Sequence, residues 1–244
     1  MKKTTILSII LLFILLAVSQ AFCGYPIDGY KLTGIRRLLR LSLIVEGKLK
    51  GTKPPAGALK SYNDIKLNLT NVRGDSLEQL PAIDQALQKK IDALFPNRHE
   101  SYSIAVLDIT PGKPIRFAKR QEDRQFPPGS VGKLAIAAGL FTELKNLFPD
   151  STAKRGELLR SRMVVADKWI HVDTHEVPVF DPETNASKSR PAREGDVFSL
   201  YEWVDHTLSA SSNAAASIVW KEALLMRAFG KNYPPTPEQE QEFF

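Results

Sequence analysis

The stretch Phe126-Pro127-Pro128-Gly129-Ser130-Val131-Gly132-Lys133 runs straight into the apolar segment Leu134-Ala135-Ile136-Ala137-Ala138-Gly139-Leu140-Phe141, and this junction constrains the chain more than any other part of it. The apolar run predicts a helix buried on most sides. Ser130 then stands where a loop becomes that helix, with its N–H among the unpaired donors at the positive end of the helix dipole. An oxyanion is stabilised there. Lys133 lies three residues on, on the same helical face, within reach of the Ser130 hydroxyl. Kept dry by the helix behind it, such a lysine can serve as a base, which makes Ser130 a candidate nucleophile.

Ser-x-x-Lys is a short pattern, and Ser151-Thr152-Ala153-Lys154 matches it as well. The second copy opens the polar run Lys154-Arg155-Gly156-Glu157 and reads as a capped surface helix. A phosphate-binding loop is excluded, because Pro127 and Leu134 stand where such a loop needs a glycine and a magnesium-binding hydroxyl.

At the N-terminus, Lys2 and Lys3 precede an apolar run from Ile6 to Val18 and the small-residue pattern Ser19-Gln20-Ala21. This predicts a secretory signal peptide over residues 1–21, too short in its apolar part to span a membrane comfortably. The expected location is therefore periplasmic or secreted, with no stable membrane span after cleavage. Bulky Phe22 argues against lipidation at Cys23. Removing 21 of the 244 residues leaves 223, enough for one sizeable core, and removing Lys2 and Lys3 takes the formal charge from +6 to +4. That mild, dispersed excess gives no argument for nucleic acid. Cys23 is the sole cysteine, so stability must come from packing rather than from an internal disulfide.

Residues 22–76 form an N-terminal extension in which Arg36, Arg37 and Arg40 interleave with Ile35, Leu38, Leu39, Leu41 and Leu43. A short basic amphipathic helix packed on the main domain is favoured over one lying on a membrane. From Leu77, the spacing of Leu80, Ile83, Leu87, Ile91 and Leu94 predicts a helix ending before Pro96. Tyr102–Ile109 and Ile115–Arg120, around Pro111-Gly112-Lys113, predict a β-hairpin. A helix is expected over Thr152–Ala166, then an irregular polar segment over 167–196. Within it, His171, Asp173 and His175 would share a face on a strand, but a solvated loop is the preferred reading and no metal site is assigned. Ser199-Leu200-Tyr201-Glu202 has the form of a capping box. After its helix, Ser211-Ser212-Asn213 opens an apolar helix that Gly230 stops; such a triplet is commonly a helix N-cap.

Ser130-Val131-Gly132-Lys133 followed by Ser211-Ser212-Asn213, in that order and with these surroundings, resembles the serine β-lactamase and penicillin-binding-protein superfamily, nearest to the class A β-lactamase type. The resemblance runs from about residue 78 to 230. It implies an α/β fold with a mainly antiparallel sheet flanked by helices, and a catalytic domain over 77–244. It makes Ser130 the acylated nucleophile, Lys133 its activating partner, Ser211 the proton donor to the leaving nitrogen and Asn213 the group that orients the substrate amide and helps fix Lys133. The implied partner is a small β-lactam or a peptidoglycan peptide, and no cofactor is implied.

The departures matter. Gly132 is unusual in a first helical turn, and Ser212 stands where the family's commoner motif has aspartate. The family's Lys-Thr/Ser-Gly triplet does not occur, and the strand carrying it would supply the second oxyanion N–H. The class A deacylating glutamate belongs downstream of Asn213, and only 31 residues follow. The expectation is a domain lacking its C-terminal strands, weakly active or inactive by itself, with its hairpin left as two strands with an open edge. A D,D-peptidase-like cell-wall enzyme and a non-catalytic exported binding protein on the same scaffold are the alternatives.

Overall fold

The computed structural model describes residues 26–64, 80–94, 102–110, 112–171 and 173–244. The expected signal peptide, Cys23, Leu77, Pro96 and Pro111 lie outside the described residues. Two compact units result, one from described residues up to Asp64 together with Gly129–Phe244, the other within Ile65–Pro128.

The larger unit begins with α1 (Gly29–Thr33) and α2 (Arg36–Val45). Leu38, Leu41 and Ile44 recur at helical spacing and are the buried residues of α2. The smaller unit holds α3 (Gln85–Ala93) and the antiparallel pair β1 (Ile104–Asp108) and β2 (Arg116–Arg120), in register from Ile104↔Arg120 to Asp108↔Arg116. Helix α3 starts later than the apolar spacing predicts. Asp84 is its N-cap, accepting from Leu87 N at 2.7 Å, while Ile83 forms a bridge with Phe117 instead of a helical turn. The free edge expected of this hairpin is partly covered. The Gln88 side-chain amide donates to Lys119 O at 2.8 Å and accepts from Lys119 N at 3.1 Å, and Asp84 N donates to Phe117 O at 2.9 Å. A glutamine side chain thus does for β2 what a third strand's peptide would do.

The larger unit resumes with a 3-10 turn over Gly129–Val131 and then α4 (Gly132–Leu147), α5 (Thr152–Ser161), β3 (Met163–Val165), β4 (Glu176–Phe180), β5 (Ser187–Pro191), β6 (Val197–Ser199), α6 (Leu200–Ser209), α7 (Asn213–Phe229) and α8 (Pro237–Phe243). Helices α4, α6 and α7 pack around a core that includes Leu140, Leu144, Leu200, Trp203 and Ile218, all fully buried. The basic face of α2 joins this unit through ion pairs: Arg36 Nε to Glu202 Oε1 at 2.8 Å and Arg37 Nε to Asp205 Oδ2 at 2.5 Å.

Three sequence expectations are corrected here. Helix α5 stops at Ser161, because Met163-Val164-Val165 leaves it to pair with Val197–Ser199, burying Val164. Residues 167–196 are not irregular throughout: β4 and β5 form a hairpin whose apolar Val177 and Phe180 are buried. Its turn is organised by Asp181, which accepts from Glu183 N at 3.0 Å and Thr184 Oγ1 at 2.6 Å, and by Asn185 at φ 58°. The two-stranded pairing leaves Pro178 on a strand with a free edge, where a missing N–H is tolerated. Finally, the expected sheet is, among the described residues, three separate two-stranded antiparallel ladders: β1–β2, β3–β6 and β4–β5. The fold is mixed α/β with antiparallel pairing. No helix among the described residues is long and apolar enough to cross a membrane.

Candidate active site

Gly129 adopts φ 51°, a left-handed turn that suits glycine and brings the chain into the 3-10 turn holding Ser130. Gly132 is the first residue of α4, not an interior one, which limits the helix penalty expected of it. Ser130 is exposed, whereas Lys133, one turn on, is only 7 % exposed. Its Nζ lies 3.0 Å from Ser130 Oγ.

The other half of the site comes from the junction of α6 and α7. Ser212 is the N-cap of α7, fully buried, its hydroxyl accepting from Ala215 N at 3.2 Å. The triplet is therefore an N-cap, but only through its middle residue. Ser211, held at φ 56°, and Asn213, the first residue of the helix, are left with their side chains turned to Lys133. Nζ reaches Ser211 Oγ at 3.3 Å and Asn213 Oδ1 at 2.6 Å. A left-handed φ at a residue with a Cβ is costly, and it persists where the surroundings over-determine it. All four residues expected at the site are thus brought together around one amine.

Three oxygens around Nζ match the three donors of an ammonium. As a neutral amine, the same group can accept the Ser130 hydroxyl proton while donating to Asn213 and Ser211. Only the neutral arrangement lets Lys133 take the Ser130 proton; the ammonium donates to Ser130 Oγ and holds it in place. Ser151 has no such setting: it caps α5, accepting from Lys154 N at 3.2 Å.

One residue, weighed from sequence only as part of a metal face, has a different place in the site. Asp173 accepts from Asn213 N at 2.7 Å and its same oxygen meets His175 Nδ1 at 2.8 Å. It holds the backbone whose side chain holds Lys133. His171, Asp173 and His175 precede β4 instead of sharing a strand face, and among the described residues no group of His, Cys, Asp or Glu is gathered as a metal would need. The local signal was the Asp-Thr-His run, in which Asp173 Oδ1 accepts from His175 N at 3.3 Å.

Ser130, Lys133 and Asn213 line one end of a groove of about 950 Å³ that continues between α4 and α7. Its sides are Ala135, Ile136 and Gly139 from α4, with Gly139 four and three residues after the other two, and Ala216, Trp220 and Leu224 from α7, each four apart.

No protein-family model, curated protein or solved structure matches this chain.

Proposed function

We propose that the chain is an exported serine hydrolase of the β-lactamase and penicillin-binding-protein type, acylated on Ser130 by a β-lactam or a peptide amide. The observation that supports it most is the meeting of Lys133 Nζ with Ser130 Oγ, Ser211 Oγ and Asn213 Oδ1 within 3.3 Å. The two motifs that carry the family resemblance lie 78 residues apart between Lys133 and Ser211 and still converge on one amine. Export to the periplasm or medium rests on the Lys2-Lys3, Ile6 to Val18 and Ser19-Gln20-Ala21 pattern. The β-lactamase or transpeptidase scaffold is the finer form of the α/β fold that this reading takes.

In the proposed reaction Ser130 Oγ attacks the amide carbonyl while its proton moves to Lys133 Nζ. The O–C bond forms and the C–N bond breaks. The proton reaches the departing nitrogen by way of Ser211 Oγ, and Asn213 steadies both Lys133 and the substrate amide. Attack of water on the ester, which would release the acyl group as an acid and restore Ser130, is expected to be slow, so that this chain by itself is weakly active or inactive. A β-lactamase and a D,D-peptidase share the acylation half of this scheme.

Fluorescent penicillin tests the reading. The full chain should carry covalent label, Ser130→Ala none, and Ser151→Ala as much as the parent. Lys133→Ala should slow labelling by about 10²- to 10⁴-fold, the range for loss of a positioned base. Label that survives in Ser130→Ala would end the assignment, and an unlabelled parent chain would favour the non-catalytic binding protein.

A further inference from the structure

The groove running from Ser130 gives the proposed hydrolase a substrate class. Resting on that reading, we infer that the scissile carbonyl is carried by a linear apolar acyl chain, which lies between α4 and α7 in the acyl-enzyme.

The groove follows α4 from Gly132 to Glu143, a length of about 16 Å at 1.5 Å per residue. Small residues, Gly139 and Ala135 on one side and Ala216 on the other, open it, while Trp220 and Leu224 supply apolar surface. The hydroxyls that border it are already engaged with backbone: Ser217 Oγ donates to Ala214 O at 2.8 Å and Thr142 Oγ1 to Ala138 O at 2.8 Å. A peptide lying here would find no backbone partners, since the N–H and C=O groups of both helix interiors are bonded within the helices. Along the apolar stretch between Ala135, Gly139, Ala216, Trp220 and Leu224 its polar groups would face no donor or acceptor, and only the open side of the groove would solvate them. A methylene chain suffers no such loss. At the far end the buried Glu143 carboxylate pairs with Arg227 Nε at 3.0 Å and sets a polar limit to the chain that fits.

The orientation follows from which site residues line the groove. Ser130, Lys133 and Asn213 do; Ser211, the proton donor toward the leaving group, does not. The leaving group therefore departs on the Ser211 side, and the groove receives the acyl side.

The test uses the full chain and p-nitrophenyl esters from acetate to decanoate, reading the initial release of p-nitrophenolate. The acylation rate should rise by roughly twofold per added methylene, less than full burial would give because the groove is open. A Cβ built on Gly139 meets nothing within 4 Å, so a side chain has room to start there, and Gly139→Phe, placing a ring in the groove, should collapse the decanoate-to-acetate ratio. Leu224→Asn should lower it in part. Independently, in Ser130→Ala a nitroxide-labelled dodecanoate should quench Trp220 emission, and the quench should vanish in Trp220→Phe and on adding Gly139→Phe. Equal rates along the ester series with Ser130 acylated would overturn the acyl groove and leave the hydrolase standing. Quenching without any acylation of Ser130 would uphold the groove as an acyl-binding site and sink the hydrolase. A ratio that survives both groove substitutions places the chain elsewhere and overturns the inference.

Discussion

Ser212 and Lys133 divide the work at the mouth of α7. Ser212 spends its hydroxyl on the helix N-terminus, which frees Ser211 and Asn213 to face the amine. Serine and aspartate are both strong N-caps, so Ser212→Asp should keep the fold stability, and Ser212→Ala should lose about 1 kcal/mol in urea unfolding. An alanine variant as stable as the parent would show that the cap contributes nothing. Asp173 acts one step further out. Asp173→Ala leaves the Asn213 N–H without its carboxylate and should slow acylation of Ser130 while Asp173→Asn, which keeps an acceptor, recovers part of the rate. At this scale the sequence was informative where chemistry needs a residue type at a fixed offset. Ser130 and Lys133 sit one helical turn apart, and Ser211 and Asn213 flank a cap. Asp173 was hidden because its partner lies 40 residues away, on an element whose approach no local pattern encodes.

Among the elements, the apolar run marked α4, and capped starts with apolar faces marked α6 and α7; the expectation that α4 is buried on most sides fails, because Leu134 and Phe141 are exposed and only one face of the helix is packed. The boundaries that failed did so where a competing local preference won. Asp84 captured the start of α3, and Met163-Val164-Val165 found a strand partner 34 residues on, which no window of the sequence contains. The β4–β5 hairpin was read as polar loop because only Val177 and Phe180 of β4 are fully buried. In the smaller unit, Gln88 is the device to test. Gln88→Ala removes two hydrogen bonds from β2 and should destabilise that unit by about 1–3 kcal/mol, while making the chain more prone to associate through the exposed edge. Thermal melts and light scattering read both effects, and an unchanged melt would show that the clamp is dispensable.

For the molecule as a whole, pH acts through His206. The ring is 1 % exposed, and neither of its nitrogens has a hydrogen-bond partner among the described residues. Phe198 stands edge-on at 4.8 Å. Burial pushes its pKa down from 6.5 to about 4, against the pull of Asp205 and Glu202 and with a small push from Arg37 and Arg36. The unfolded chain therefore binds a proton between pH 6.5 and 4 that the folded chain refuses, so stability falls as pH falls through that window and changes no further from this group below it. The loss is on the order of 3 kcal/mol. His206→Leu should flatten the drop in melting temperature between pH 6.5 and 4 relative to the parent, with other carboxylates titrating equally in both; parallel curves would remove His206 from the explanation. The central claim, that Lys133 unites Ser130, Ser211 and Asn213 into one acylating site, is tested most directly by peptide mass mapping after reaction of the full chain with benzylpenicillin. The penicilloyl mass is expected on the tryptic peptide from Gln125 to Lys133, at Ser130; no adduct, or an adduct on the peptide from Asn146 to Lys154, which holds Ser151, would contradict this assignment.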